Sequence, residues 1–189
     1  MVGMKRLVAV FLCMFFLVGC SSADSHLDDA MELRQKLLSS KGCEFDCVIT
    51  ADYSDAIYSF SLHCTFDETG KLSFRITEPE SISGITGTMD DKGGGLTFDD
   101  HVLFFPLLAD GYISPVGAPW VFVKTLRGGY IHACGKEGDG MRMILHDSYE
   151  ENPLRIDVWT DGQSNPVHSE ILWQGRKILS LDVSNFICM

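Results

Sequence analysis

Hydrophobic and polar residues change their period once along this chain, at Gly42. Before it, Leu27, Ala30, Met31, Arg34, Leu37 and Leu38 follow i, i+3/i+4 spacing, and all but Arg34 are apolar. Ser25 is a candidate N-cap, Asp28 and Asp29 suit the first turn, and Gly42 is a candidate stop. The spacing predicts a helix over 25–39 that exposes Glu32, Gln35 and Lys36. After Gly42 the period is two. Cys43, Phe45, Cys47, Ile49 and Ala51 alternate with more polar residues, as do Tyr58, Phe60, Leu62, Cys64 and Phe66, and then Leu72, Phe74 and Ile76. These are half-buried antiparallel strands. Turn chemistry separates them at Ser54-Asp55-Ala56, Asp67 to Gly70, Glu78-Pro79-Glu80, Asp90 to Gly95, Asp99-Asp100, Gly135 to Gly140, Asp161-Gly162 and Gln174-Gly175-Arg176.

One segment departs from alternation. Residues 104–129 carry Pro106, Pro115 and Pro119, which excludes a central strand, and Pro119 to Leu126 fits a short helix with Pro at its start. The segment is strongly apolar, so it must bury itself, and the concave face of a curved sheet is the natural place. The fold class expected is therefore mainly β with an N-terminal helix. Its strongly curved antiparallel sheet, an unclosed barrel, is covered by helix and loop segments. On the inner face of that sheet, Phe60, Leu62, Phe74 and Ile76 are candidate contacts for an apolar ligand. From the covering segment, Phe104, Leu107, Leu108, Trp120 and Phe122 join them.

The N-terminus has a different logic. Lys5 and Arg6 precede an uncharged apolar run from Leu7 to Val18, too short to span roughly 30 Å of hydrocarbon but the right length for a signal-peptide core. It ends in Leu17-Val18-Gly19-Cys20, followed by Ser21 and Ser22. This resembles the lipobox of bacterial lipoprotein precursors, which implies thioether lipidation of Cys20, cleavage after Gly19 and acylation of the new N-terminus. The organisation expected is a signal peptide over 1–19, a lipidated tether over 20–26 and a single curved-sheet domain over 27–189. The location is the extracytoplasmic face of a bacterial membrane.

Charge narrows the partners. Of 189 residues, 26 are acidic and 15 basic, a net charge of −11, and losing residues 1–19 removes two further positive charges. Such a body repels phosphate backbones, so nucleic acid is excluded as a partner, and membrane attachment must come from the acyl chains on Cys20. Chemistry is sparse. There is no G-x-S-x-G, H-E-x-x-H, P-loop, G-x-G-x-x-G or C-x-x-C, so no catalytic residue, metal ligand or cofactor is assigned. Seven cysteines include Cys13 in the signal and Cys20, which leaves Cys43, Cys47, Cys64, Cys134 and Cys188. If Tyr53 faces Tyr58 across the Ser54–Ile57 turn, Cys47 falls opposite Cys64 as a candidate disulfide. A slip of two residues keeps the faces and loses that pair.

Taken with the signal, residues 70–80 (GKLSFRITEPE) and the run from Leu154 to Phe186 resemble the lipoprotein-carrier (Lol-type) superfamily. The first matches its strand leading into a Pro turn, and the second matches its closing hairpins. That resemblance implies an unclosed β-barrel whose covered hollow holds acyl chains. Cys20 departs from the soluble shuttles of that superfamily, because it tethers the protein. Two functions fit. The protein is a membrane-anchored binder of acyl chains or other apolar ligands on the concave face. Alternatively, it is an extracytoplasmic interaction or regulatory module with a filled core and an envelope protein as partner. If Cys20 is acylated, Cys20→Ala blocks processing and leaves a longer precursor without labelled palmitate; equal labelling of the variant would refute the lipobox reading.

Overall fold

The computed structural model describes residues 22–97 and 107–189; Cys20 and Phe104 lie outside them. Helix α1 runs Ser22–Ser39. Five strands follow, β1 Gly42–Asp52, β2 Ile57–Asp67, β3 Leu72–Glu78, β4 Thr86–Asp90 and β5 Gly93–Thr97. A 3-10 turn at Pro115–Gly117 leads into α2, Ala118–Gly128, and then come β6 Tyr130–Glu137, β7 Gly140–His146, β8 Arg155–Thr160, β9 Pro166–Trp173 and β10 Arg176–Cys188. The strands form one antiparallel sheet in the order β5-β4-β3-β2-β1-β10-β9-β8-β7-β6, which does not close on itself. It is therefore two consecutive five-strand meanders joined where the first strand pairs with the last.

Alternation along the strands becomes alternation of burial. Cys43, Phe45, Cys47, Ile49 and Ala51 of β1 are all buried, as are Phe60, Leu62, Cys64 and Phe66 of β2 and Leu72, Phe74 and Ile76 of β3. Turns fall at the expected 67–70, 78–80, 161–162 and 174–176. Gly93 to Gly95 instead open β5 and Gly135 to Glu137 end β6, so the expected breaks at 90–95 and 135–140 shrink to tight turns. Asp99-Asp100 lies outside the described residues. The expected helix in the proline-rich segment is α2, and it lies on the inner face with Ala118, Phe122, Val123 and Leu126 buried. At the centre, Phe45 stacks on Phe186 with ring centroids 5.5 Å apart and meets Phe122 edge-on at 6.0 Å.

Helix α1 differs from the expected amphipathic stripe. It starts at Ser22, ahead of Ser25, so it takes in part of the expected tether. It buries Ala30, Leu33 and Leu37, while Leu27, Met31 and Leu38 are exposed. The reason is its position: it packs along α2 and edge strand β6, which offer a narrow i, i+3, i+7 seam rather than a broad floor. Arg34 reaches from it to α2. Its Nε donates to the Leu126 carbonyl at 2.9 Å and its Nη2 to the Gly129 carbonyl at 2.7 Å. These carbonyls lie at the end of α2, where a cation both satisfies unpaired acceptors and complements the dipole. Gly42, the expected helix stop, instead opens β1 at φ +147°, and a Cβ there would overlap the Phe66 carbonyl.

On β8, Asp157 is buried with 1% exposure and accepts from Arg142 at 2.6 Å and from Arg155 at 2.7 and 2.8 Å. Burial alone would raise its pKa, but the two guanidiniums prevail and hold the carboxyl below the usual carboxylate range. A depressed acid contributes stability above its unfolded pKa of about 4, and that stability is lost as pH falls through the lower folded value. Arg142 and Arg155 are more than one-third exposed and can rehydrate. Asp157→Ala should thus cost about 3 kcal/mol in denaturant unfolding at pH 7, the low end for breaking a buried pair. The variant should lose less stability than wild type as pH falls below about 4.

Candidate functional site

The sheet's inner face is open at one end, beside the β1–β2 turn. Asp52 pairs with Ile57, leaving Tyr53 to Ala56 as the loop, with Tyr53 N–H donating to the Ala56 carbonyl at 3.0 Å. Ser54 sits at φ +75° and its N–H is held by the Asp52 carboxylate at 2.7 Å. From the β9–β10 side, Arg176 Nη2 donates to the Asp52 carbonyl at 2.8 Å and carboxylate at 3.1 Å, fixing the turn to the second meander. Across the loop, the Tyr53 and Tyr58 rings meet edge-to-face at 5.7 Å. Burial, and then the Tyr58 hydroxyl nearby, push the Tyr53 phenol above its usual pKa, so it is neutral at physiological pH.

Strand β3 reaches only as far as the pairing of Glu78 with Ser61, so β2 from Ile57 to Phe60 has no β3 partner. A 3-10 turn, Glu80–Ile82, folds over the gap instead. The result is a cavity of about 520 Å³ lined by Ala51, Tyr53, Ala56, Tyr58, Phe60, Pro79, Ile82 and Pro115, with Asp55, Ser59 and Ser81 as its polar members. Pro115 comes from the covering segment, so that segment forms part of the wall. The lining places no nucleophile beside a base. Among the described residues no group of three His, Cys, Asp or Glu could hold a metal ion. What the arrangement offers is apolar surface with a polar rim.

The candidate ligand contacts divide sharply. Phe60 lines the cavity. Leu62 pairs with Ile76, and Cys64 with Phe74, and all of these side chains are buried in the packed core rather than lining this cavity. Phe122 is equally buried, against Phe45. Trp120 is half-buried, its indole N–H donating to the Gly70 carbonyl at 3.0 Å while the Lys124 ammonium lies 4.4 Å from its ring centre. Leu108 is buried and bridges to Ile113 around a tight turn, whereas its neighbour Leu107 is exposed. Phe104 lies outside the described residues. Among the described residues the segment therefore packs its own side chains against the inner face, and Pro115 borders the space at the rim. Tyr53, Tyr58, Ile82 and Pro115 were not among the expected contacts. The aromatic pair flanking a turn was the one available signal for them.

The expected cysteine register also shifts. Cys47 faces Leu62 and Cys64 faces Phe45, two places from the expected pairing. The turn causes this, because pairing continues to Asp52 and Ile57 rather than giving Tyr53 to Tyr58. Cys47 and Cys64 remain diagonal neighbours joined by a thiol hydrogen bond, with the Cys64 thiol pushed up first by burial and then by Cys47. All five cysteines among the described residues, Cys43, Cys47, Cys64, Cys134 and Cys188, are free thiols in this structure.

No protein-family model matches this chain, and no curated protein matches it. Solved structures similar to it include a LolA superfamily protein from Nitrosomonas europaea, 11% identical, over 90% of this chain and 94% of that one, at a TM-score of 0.45. A DUF1329 family protein from Desulfovibrio piger is 9% identical over 89% of this chain and 94% of that one, at a TM-score of 0.45. LprF from Mycobacterium bovis is 10% identical over 88% of this chain and 95% of that one, at a TM-score of 0.41. At about one-tenth identity no residue role passes from these proteins to this chain.

Proposed function

We propose that this protein is an envelope lipoprotein, anchored through acylated Cys20, that takes an acyl chain or similar apolar ligand into the rim cavity. The observation that carries this reading is the cavity itself: about 520 Å³ of largely apolar space, aromatic on one wall, beside a packed core. Small-molecule sites run from about 300 to 1,000 Å³, so the volume suits one chain and not a bulky multi-chain lipid. Burying about 250 Å² of chain at roughly 25 cal/mol per Å² contributes about 6 kcal/mol before association costs. That places affinity at tens of micromolar or weaker, a range that suits reversible loading. Asp55 and Ser81 at the polar rim meet the ligand's head group, and the Asp55 carboxylate disfavours an anionic one.

One observation favours the interaction module as a second reading. Leu27, Met31 and Leu38 share one face of α1 and are exposed, each above 40%. An apolar ridge of this kind suits a protein partner docking beside the tether.

Titration of residues 21–189 with a neutral fluorescent acyl probe separates the two readings. Saturable uptake at tens of micromolar or weaker is expected, and Ile82→Trp, which fills the cavity from its partly buried wall, should weaken it at least tenfold with little change in Tm. Leu62→Trp should instead lower Tm, because Leu62 is only 1% exposed and the packed core has no room for the larger ring. A linear, non-saturating signal with the wild-type chain would reject ligand binding and leave the α1 ridge as the functional surface.

A further inference from the structure

The two five-strand meanders are joined through the pairing of β1 with β10, and one end of that pairing carries two cysteines in direct register, Cys43 opposite Cys188. Next to it, Met189 N–H donates to the Gly42 carbonyl at 2.9 Å, while the Met189 carbonyl accepts from Lys41 N–H at 2.8 Å. Hydrogen-bonded and non-hydrogen-bonded pairs alternate in an antiparallel ladder. Cys43 and Cys188 therefore occupy a non-hydrogen-bonded position, where Cα atoms approach to about 4.5 Å and side chains lie closest. Disulfides span Cα separations of roughly 4.4–6.8 Å. We propose that Cys43 and Cys188 form a disulfide that closes the β1–β10 seam covalently.

The other thiols fit less well. Cys47 and Cys64 are diagonal across β1 and β2, and diagonal positions have Cα atoms roughly 7–8 Å apart, beyond what a disulfide spans without backbone movement. Cys134 lies on β6, at the far edge of the sheet. The environments of Cys43 and Cys188 also assign an order to the reaction. Burial pushes the Cys188 thiol above its usual range, and the nearby Lys36 ammonium offsets only part of that rise. Cys188 is nonetheless partly exposed, and so open to an oxidant. Cys43 is 1% exposed, and burial, with Cys188 beside it, pushes its thiol up to about 12.

Cys188 is thus the entry point. Its thiolate attacks the disulfide of an oxidant, either a thiol–disulfide oxidoreductase or a small disulfide such as oxidised glutathione. An S–S bond to Cys188 forms and one donor sulfur leaves as thiolate. Cys43 then loses its proton and attacks the Cys188 sulfur, expelling the second donor sulfur. Two protein thiols are oxidised, the donor disulfide is reduced by two electrons, and the two protons end on the donor's thiols. The bond encloses residues 44–187, nearly the whole described body. Loops of this length give large restrictions of the unfolded chain, which corresponds to a Tm rise on the order of 10 °C.

An oxidising compartment for this bond rests on the signal-sequence reading, whereas the pairing itself does not. The test therefore uses the mature, processed protein in detergent, incubated with a defined mixture of oxidised and reduced glutathione. Alkylation and non-reducing peptide mapping should recover a Cys43–Cys188 linked peptide, with Tm raised by about 10 °C and restored by reductant. Cys188→Ser should abolish both the linked peptide and the Tm rise while leaving the reduced protein's Tm nearly unchanged. Cys43 and Cys188 both remaining alkylatable would overturn the proposal, and so would a linked peptide joining Cys47 to Cys64. The same mapping on acid-quenched cells tests the compartment: a bond made in vitro and missing in cells would reject the oxidising location and leave the pairing standing.

Discussion

The pairing of β1 with β10 is the constraint on which the rest of this molecule depends. Each meander of five strands can fold its own hairpins, but the continuous concave face exists only when the first and last strands register along the centre of the sheet. Packing and polar contacts reinforce that line on both sides. On the inner side, Phe45 from β1 stacks on Phe186 from β10, and Phe122 from α2 closes over them. On the outer side, β10 bulges at Asn185, which adopts φ +53° and donates from Nδ2 to the Asp46 carboxylate at 2.7 Å. Asp46 also meets His63 Nδ1 at 2.8 Å, so one carboxylate ties three neighbouring strands. The hydrogen bonds from Asn185 and His63 are the main reason its pKa falls below the usual range.

Much of this was legible in the chain, for reasons that differ by level. A two-residue period fixes which face of a strand is buried, because a wrong face would put Phe45 or Leu62 in water. It does not distinguish registers that differ by two residues, and that degeneracy is why Cys47 was expected opposite Cys64. The arbiter was turn geometry, with Ser54 at positive φ and Asp52 capping its N–H, which carries pairing to Asp52 and Ile57. Proline spacing located α2, since Pro119 suits the first turn of a helix and no central strand. The stripe on α1 was harder to read: Leu27, Met31 and Leu38 have core-like chemistry, and only the narrowness of the surface they meet leaves them outside.

The cavity had no local signature, because it results from a mismatch in length. Strand β2 continues four residues past the end of its β3 pairing, and a 3-10 turn roofs the difference. A residue-by-residue reading of Phe60, Leu62, Phe74 and Ile76 treats all four as equivalent inward-facing groups. In three dimensions α2 and Leu108 seal the packed middle, and Phe60 alone of the four reaches the unsealed rim. Filled and empty parts of the same concave face thus carry the same alternation. What separates them is the reach of the cover, to which Trp120 contributes by anchoring to the Gly70 carbonyl at the opposite end of β2.

The seam has a kinetic consequence as well. Its two strands are the first and last along the chain, so the contacts that define the sheet are among the most distant in sequence. Such high-contact-order topologies fold slowly, since a long loop must close before the non-local pairing returns any free energy. Until residues 176–188 are available, β1 presents an unpaired edge and the first meander is half a sheet. A chain emerging N-terminus first from synthesis would for that reason stay incompletely folded until its last strand arrives. Synthesis and folding are then ordered by topology.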